Sequence, residues 1–142
     1  VIFFDTSVMV CAAHRADLRH RASLECVSRA TQANACCGAH SLAEMYSTLT
    51  GRPHPMRMPI AAALTLIEQT RSRMRIVALD EDEYLAVVRE SAKAGRMGGI
   101  IFDALLVACA RKAEAETIYT WNARHFRLVA PDLAERILEP GS

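Results

Sequence analysis

Short apolar runs alternate along the chain with stretches of helical spacing. Val1-Ile2-Phe3-Phe4 is continuously apolar, the pattern of a strand covered on both faces. It stops at Asp5-Thr6-Ser7, after which Val8 to Ala13 predicts a first helix, with Asp5, Thr6 and Ser7 as rival N-caps. Residues 20–33 predict a more polar helix carrying Leu24 and Val27. Residues 35–40, small and mostly apolar, predict a second strand. Ser41 with Glu44 three positions later has the form of a capping box, opening a helix through Met45, Tyr46 and Leu49. The proline-bearing stretch Gly51 to Pro59 breaks the pattern as an exposed loop. Ile60, Leu64, Ile67 and Met74 resume helical spacing, and Arg71, Arg73 and Arg75 are cations suited to a helix C-terminus. Arg75 to Leu79 predicts a third strand, and the acidic run Asp80 to Glu83 the solvated first turn of a helix reaching about Ala94. Glu116 to Thr120 predicts a fourth strand, and Leu128-Val129-Ala130 is a candidate fifth.

Before the fourth strand lies the most apolar stretch of the chain, Ile100 to Ala110, interrupted only by Asp103. Too long for a typical strand and too short to cross a bilayer, it opens after Gly98-Gly99 and predicts a buried helix reaching about Ala115. A carboxylate there must be met by a cation, an arginine or backbone N–H groups. Two readings stand: Asp103 sits in the first helical turn, favoured by the macrodipole, or it faces a polar site set into the core.

Strands alternating with helices predict an α/β fold, a three-layer α/β/α sandwich around a mostly parallel sheet of four to five strands. In such sheets ligands collect beyond the carboxyl ends of the strands, where the strand order switches. Asp5 and Glu44 follow the first and second strands, and Asn122 follows the fourth. Asp103 opens a helix whose N-terminal end can reach the same edge. Carboxylates meeting in one crevice repel, and a divalent cation with oxygen ligands relieves that repulsion. Mg²⁺ or Mn²⁺ suits Asp5, Glu44 and Asp103 as metal ligands, whereas a dedicated zinc site lacks His and Cys partners.

Composition refines this only slightly. The 142 residues, 51% of them hydrophobic, predict one domain over residues 1–142 with a substantial core. No run reaches membrane-spanning length and the start lacks a signal-like pattern, so a soluble, cytoplasmic protein is expected. The net charge of +1 shows no basic excess of the kind that marks many nucleic-acid binders. All but Lys93 and Lys112 of the 17 basic residues are arginine, which suits phosphate contacts and equally reflects a GC-rich genome. The five cysteines form no disulfide-like framework and read as buried thiols. Zinc on Cys36, Cys37 and His40 is disfavoured, because neighbours on a strand point to opposite faces.

Taken together, Val1-Ile2-Phe3-Phe4-Asp5-Thr6-Ser7, Glu44 at a helix start, Gly99-Ile100-Ile101-Phe102-Asp103-Ala104-Leu105 and Thr120-Trp121-Asn122-Ala123-Arg124-His125-Phe126 resemble the successive motifs of the PIN domain. The version resembled is that of VapC-type toxins from bacterial toxin–antitoxin pairs, over essentially the whole chain. The resemblance implies a metal-dependent ribonuclease, commonly homodimeric, leaving 5′-phosphate and 3′-hydroxyl ends. It also implies inhibition by a small VapB-like antitoxin whose C-terminal segment occupies the acidic pocket. Asp5, Glu44 and Asp103 match the first three family acids. The fourth falls at Asn122 or His125, neither of them acidic, which puts a second tightly bound ion in doubt. Asn122 can still offer a carbonyl to metal or water. Ser7 and Thr120 match hydroxyl positions that support the acids.

Hydrolysis of an RNA phosphodiester is therefore expected, with one carboxylate as base. Arg52, Arg57, Arg96 and Arg124 are candidates for the RNA backbone, and Trp121 is a candidate stacking surface. The alternative is a non-catalytic module of the same fold that holds RNA or a peptide at a degenerate acidic site. A receiver-like phosphoacceptor would need an acidic pair near the first strand, where only Asp5 stands. Ser7 excludes a phosphohydrolase built on Asp-x-Asp.

Overall fold

The computed structural model describes residues 1–142. Its centre is one five-stranded sheet, every pairing parallel, in the order β3-β2-β1-β4-β5. The strands are β1 (Ile2–Phe4), β2 (Ala35–Gly38), β3 (Arg75–Val77), β4 (Thr117–Tyr119) and β5 (Ile137–Leu138). Between them run α1 (Thr6–Ala13), α2 (His20–Ser28), α3 (Ala39–Gly51), α4 (Ile60–Arg73), α5 (Glu81–Lys93), α6 (Ile100–Lys112) and α7 (Ala123–Val129).

The strand period of two divides the core into two layers. Phe3, Cys36, Ile118 and Ile137 face the layer built by α5, α6 and α7, where Leu105, Leu106 and Phe126 pack. Phe4, Ala35 and Cys37 face the opposite layer, against Val8 and Met9 of α1, Met45 and Leu49 of α3, and Ala63 of α4. Phe3 is fully buried, and in register it lies between Cys36 and Ile118. A fully buried side chain of this kind contributes roughly 1.5–3 kcal/mol, so the short central strand holds both layers. Cys36 and Cys37 occupy opposite layers, as the strand pattern requires.

Several boundaries depart from the sequence pattern. Strand β2 ends at Gly38 and α3 begins at Ala39, so Ser41 is inside the helix and is not its cap. Gly38 stands so close to α6 that a Cβ there would lie 2.8 Å from Leu106 Cδ2. Ser41 is instead fully buried, and its hydroxyl has no hydrogen-bond partner. Removing an unsatisfied buried hydroxyl relieves a desolvation cost, so Ser41→Ala is expected to stabilise the fold by about 1 kcal/mol in urea titration. A destabilised Ser41→Ala protein would contradict that account.

Helix α2 ends at Ser28 rather than near residue 33. Asn34 ties down the turn that follows, accepting from the Thr31 N–H at 2.8 Å and donating to the Arg29 carbonyl at 3.2 Å. Helix α6 stops at Lys112, and the chain leaves it through Glu114 at a φ of 54°. Leu128 to Val129 closes α7 and is not a strand, because Phe126 and Val129 bury the inner face of that helix. The fifth strand is the two-residue segment Ile137–Leu138, which follows a 3₁₀ turn over Pro131–Arg136. The acidic run holds as read: Asp80 accepts the Glu83 N–H at 2.8 Å and Glu83 accepts the Asp80 N–H at 3.0 Å, a full capping box on α5. No helix is long and apolar enough to cross a membrane.

Candidate active site

Chain connections run from β1 towards β2 and β3 on one side, while β4 and β5 lie on the other. The order therefore reverses between β1 and β4, and their carboxyl ends open a crevice. Asp5 leaves β1 into that crevice and Thr120 leaves β4 beside it. The Asp5 N–H still donates to the Tyr119 carbonyl at 2.9 Å, so the two strand ends are locked together.

Asp5 is almost wholly buried, and its Oδ2 accepts from the Ser7 hydroxyl at 2.6 Å and the Thr120 hydroxyl at 2.7 Å. Neither hydroxyl is free to turn away. The Trp121 N–H donates to Ser7 Oγ at 3.0 Å and the Asn122 N–H donates to Thr120 Oγ1 at 2.9 Å. Each oxygen thus receives a backbone proton and commits its own to the carboxylate. Burial pushes the Asp5 carboxyl above its ordinary range, and the Ser7 and Thr120 bonds pull it back.

Glu44 comes from the second turn of α3, where its Oε1 accepts from the Thr6 hydroxyl at 3.2 Å and lies 3.7 Å from His40 Nε2. Burial raises its carboxyl, opposed by His40 and by the Thr6 bond. Asp103 sits in the first turn of α6 and faces the cavity, so the two readings of its position are both satisfied. Its Oδ2 lies 3.8 Å from His125 Nδ1. Burial pushes the Asp103 carboxyl up to about 6, the Asp5 charge adds to that, His125 opposes it and Glu44 contributes last.

A cavity of about 330 Å³ contains Asp5, Glu44 and Asp103 together with Ser7, Thr6, Thr48, Asn122, Cys11, Arg19 and Arg52. None of its three carboxylates makes an ion pair with a lysine or arginine; the basic side chains beside them are His40, near Glu44, and His125, near Asp103. The donor set is all hard oxygen, which suits a Mg²⁺-like ion. The side chains stand open rather than closed around a point, since no three acidic, His or Cys groups are near enough to grip an ion unaided. Each acid is held by its own neighbours, Asp5 by Ser7 and Thr120, Glu44 by Thr6 and Asp103 beside His125, and a doubly charged ion would relieve the repulsion among them.

The remaining candidates divide. Arg52 lines the cavity, half-buried. Arg57 is exposed in the same loop, where its Nε donates to the Arg52 carbonyl at 3.1 Å. Arg124 and His125 are exposed on the first turn of α7. Arg96 lies away from the acids, donating to the Val129 carbonyl at 3.1 Å and packed in a small cavity with Glu90 and Arg111. Trp121 is not an open surface, because its Nε1–H donates to Ser23 Oγ at 2.8 Å and Arg19 covers its ring. Arg19 and Thr48 had no signal in the periodicity. Arg19 was detectable only as Asp17-x-Arg19 between two helices, a spacing that permits a local ion pair.

A family model of the PIN domain matches residues 2–130. No curated protein sequence matches significantly. Among solved structures, the Mycobacterium tuberculosis toxin VapC20, described as cleaving the sarcin–ricin loop, is 19% identical with a TM-score of 0.71, over 88% of this chain and 92% of that one. VapBC-1 from nontypeable Haemophilus influenzae is 18% identical with a TM-score of 0.67, over 99% and 98%. VapBC2 from Rickettsia felis, bound to a DNA fragment of its promoter, is 16% identical with a TM-score of 0.64, over 97% of each chain. At these identities the likeness is one of fold.

Proposed function

Because the chain belongs to the PIN domain family, we propose that it is a Mg²⁺- or Mn²⁺-dependent endoribonuclease, the toxin of a toxin–antitoxin pair. The observation that supports this reading best is the meeting of Asp5, Glu44 and Asp103 in one cavity at the reversal of the sheet order. Asp5, Glu44 and Asp103 would hold the ion, which supplies positive charge against the phosphoryl oxygens and a lowered pKa for water.

The protein's own groups do the rest. Ser7 and Thr120 keep Asp5 oriented and favour its ionised form. One of the cavity's carboxylates would accept the proton of the attacking water. The Asn122 side-chain carbonyl, which also lines the cavity, can orient that water in place of a fourth acid. Arg52, which lines the cavity, would offer its guanidinium to the substrate phosphate, and the exposed Arg124 would meet the RNA backbone outside it. The proposed partners are an RNA substrate, a second copy of the chain and a VapB-like antitoxin; VapBC-1 and VapBC2 are complexes of that kind.

The experiment is cleavage of defined RNAs by purified protein in Mg²⁺, Mn²⁺ or EDTA, with the product ends sequenced. Expected are 5′-phosphate and 3′-hydroxyl ends with either metal, no products in EDTA, and none from Asp5→Asn despite a normal circular dichroism spectrum. The exposed, uncharged Asn122 supports the second reading, a module that binds without cutting. Binding of RNA with no cleavage in either metal, and no metal-linked rise in melting temperature, would establish that reading instead.

A further inference from the structure

Arg19 precedes α2 and lines the acidic cavity, yet it is held more tightly than any other surface arginine near the site. Its Nε donates to Asp17 Oδ1 at 3.1 Å, its Nη2 to Oδ2 at 3.3 Å, and its backbone N–H to Oδ1 at 2.8 Å. These bonds hold the Asp17 carboxyl down at about 2, so the clamp persists at all ordinary pH. The guanidinium carbon lies 5.6 Å from the centre of the Trp121 ring. Trp121 is anchored in turn, through Nε1–H to the wholly buried Ser23 and through its backbone N–H to Ser7.

The consequence is a flat group fixed on one edge by Asp17 and held over the Trp121 ring, with half of its side-chain surface open to solvent. Asp17 offsets its charge, which weakens it as a phosphate clamp but leaves its planarity intact. Unpaired bases stack on guanidinium planes of this kind. Phosphate has a better partner across the same cavity in Arg52, whose carbonyl is engaged by Arg57 but whose guanidinium makes no hydrogen bond or ion pair. Cys11 lines the same cavity, where burial raises its thiol and both guanidiniums oppose that rise.

We propose that Arg19, backed by Trp121 and clamped by Asp17, is a stacking platform that positions an unpaired base of the RNA while Arg52 holds its phosphate beside the acids. This assignment rests on the nuclease reading above and specifies how that site holds its strand.

The test uses the cleavage-deficient Asp5→Asn protein and two labelled 12-mers of equal charge, one a mixed-sequence single-stranded RNA and the other a wholly abasic ribose-phosphate strand. By anisotropy the base-bearing strand should bind about ten- to a hundredfold more tightly. Adding Arg19→Lys, which keeps the charge and loses the plane, should abolish that preference. Arg52→Ala should weaken both strands alike. Trp121 is the only tryptophan in the chain, so its emission gives a readout that needs no further variant: quenching by the base-bearing strand and none by the abasic one. Equal binding of the two strands, or an unchanged preference in Arg19→Lys, overturns the platform while metal-dependent cleavage by the unmutated protein still stands. Absence of binding to either strand overturns the platform, and absence of that cleavage overturns the nuclease reading on its own.

Discussion

Asp103→Asn is expected to abolish metal-dependent RNA cleavage, by about a thousandfold or more, and at the same time to make the metal-free protein more stable above pH 7. The two effects have one cause. Burial and the Asp5 charge raise the Asp103 carboxyl to about 6 in the folded chain, against 3.8 as its ordinary value. The folded state therefore binds this proton more tightly than the unfolded state. The stability it contributes is fully present below about pH 3.8 and is lost as pH rises through about 6. At pH 8 the ionised side chain is a net cost, which asparagine removes.

Allowing for solvent at the cavity mouth, the gain is roughly 1–2 kcal/mol, or about 3–6 °C in melting temperature. The measurement is thermal unfolding in EDTA at pH 4 and pH 8. The variant should match the unmutated protein at pH 4 and exceed it at pH 8. In Mn²⁺ the order should narrow or reverse, because only the unmutated protein gains from the ion. A variant that still cuts, or that is less stable at pH 8 in EDTA, would remove Asp103 from the site.

Thr120→Val should give the largest loss of stability of any substitution that leaves the apolar core nearly unchanged in volume. Thr120 is fully buried, and its hydroxyl is the only side-chain bridge from the end of β4 to Asp5 at the end of β1. Valine leaves the Asn122 N–H without its acceptor and takes one of two side-chain donors from a buried carboxylate. A charge-assisted bond of this length together with an orphaned N–H costs about 2–3 kcal/mol, some 6–10 °C. Losing a bond that favours the ionised form also moves the Asp5 carboxyl further up, so residual cleavage should peak at higher pH. Thr120→Ser keeps the hydroxyl and should restore both stability and pH profile. Urea titration with pH–rate profiles of the three proteins decides it; an unshifted profile in Thr120→Val would sink the relay from Thr120 to Asp5.

What the chain determined by itself was whatever its own neighbours enforce. The apolar run ending in Asp5, the Asp80 to Glu83 capping box and the opposed faces of Cys36 and Cys37 all follow from periods of two or 3.6 and from bonds between close residues. The resemblance then named Asp5, Glu44 and Asp103, and the fold brought them into one cavity. The start of α3 was out of reach because Gly38 is governed by Leu106 on another helix, so a capping motif at Ser41 pointed to the wrong residue.

Strand β5 escaped notice for a similar reason: two residues carry no period, and only pairing with β4 makes them a strand. Thr120 meets Asp5 across 115 residues, and Trp121 meets Ser23 across 98. The reversal of strand order sets those meetings, and it is a property of packing rather than of any local stretch. Local order was therefore written in the sequence, while the cavity's walls and the Arg19 platform were decided by tertiary structure. Contacts between distant segments depend on how whole layers stack, and no single segment encodes that.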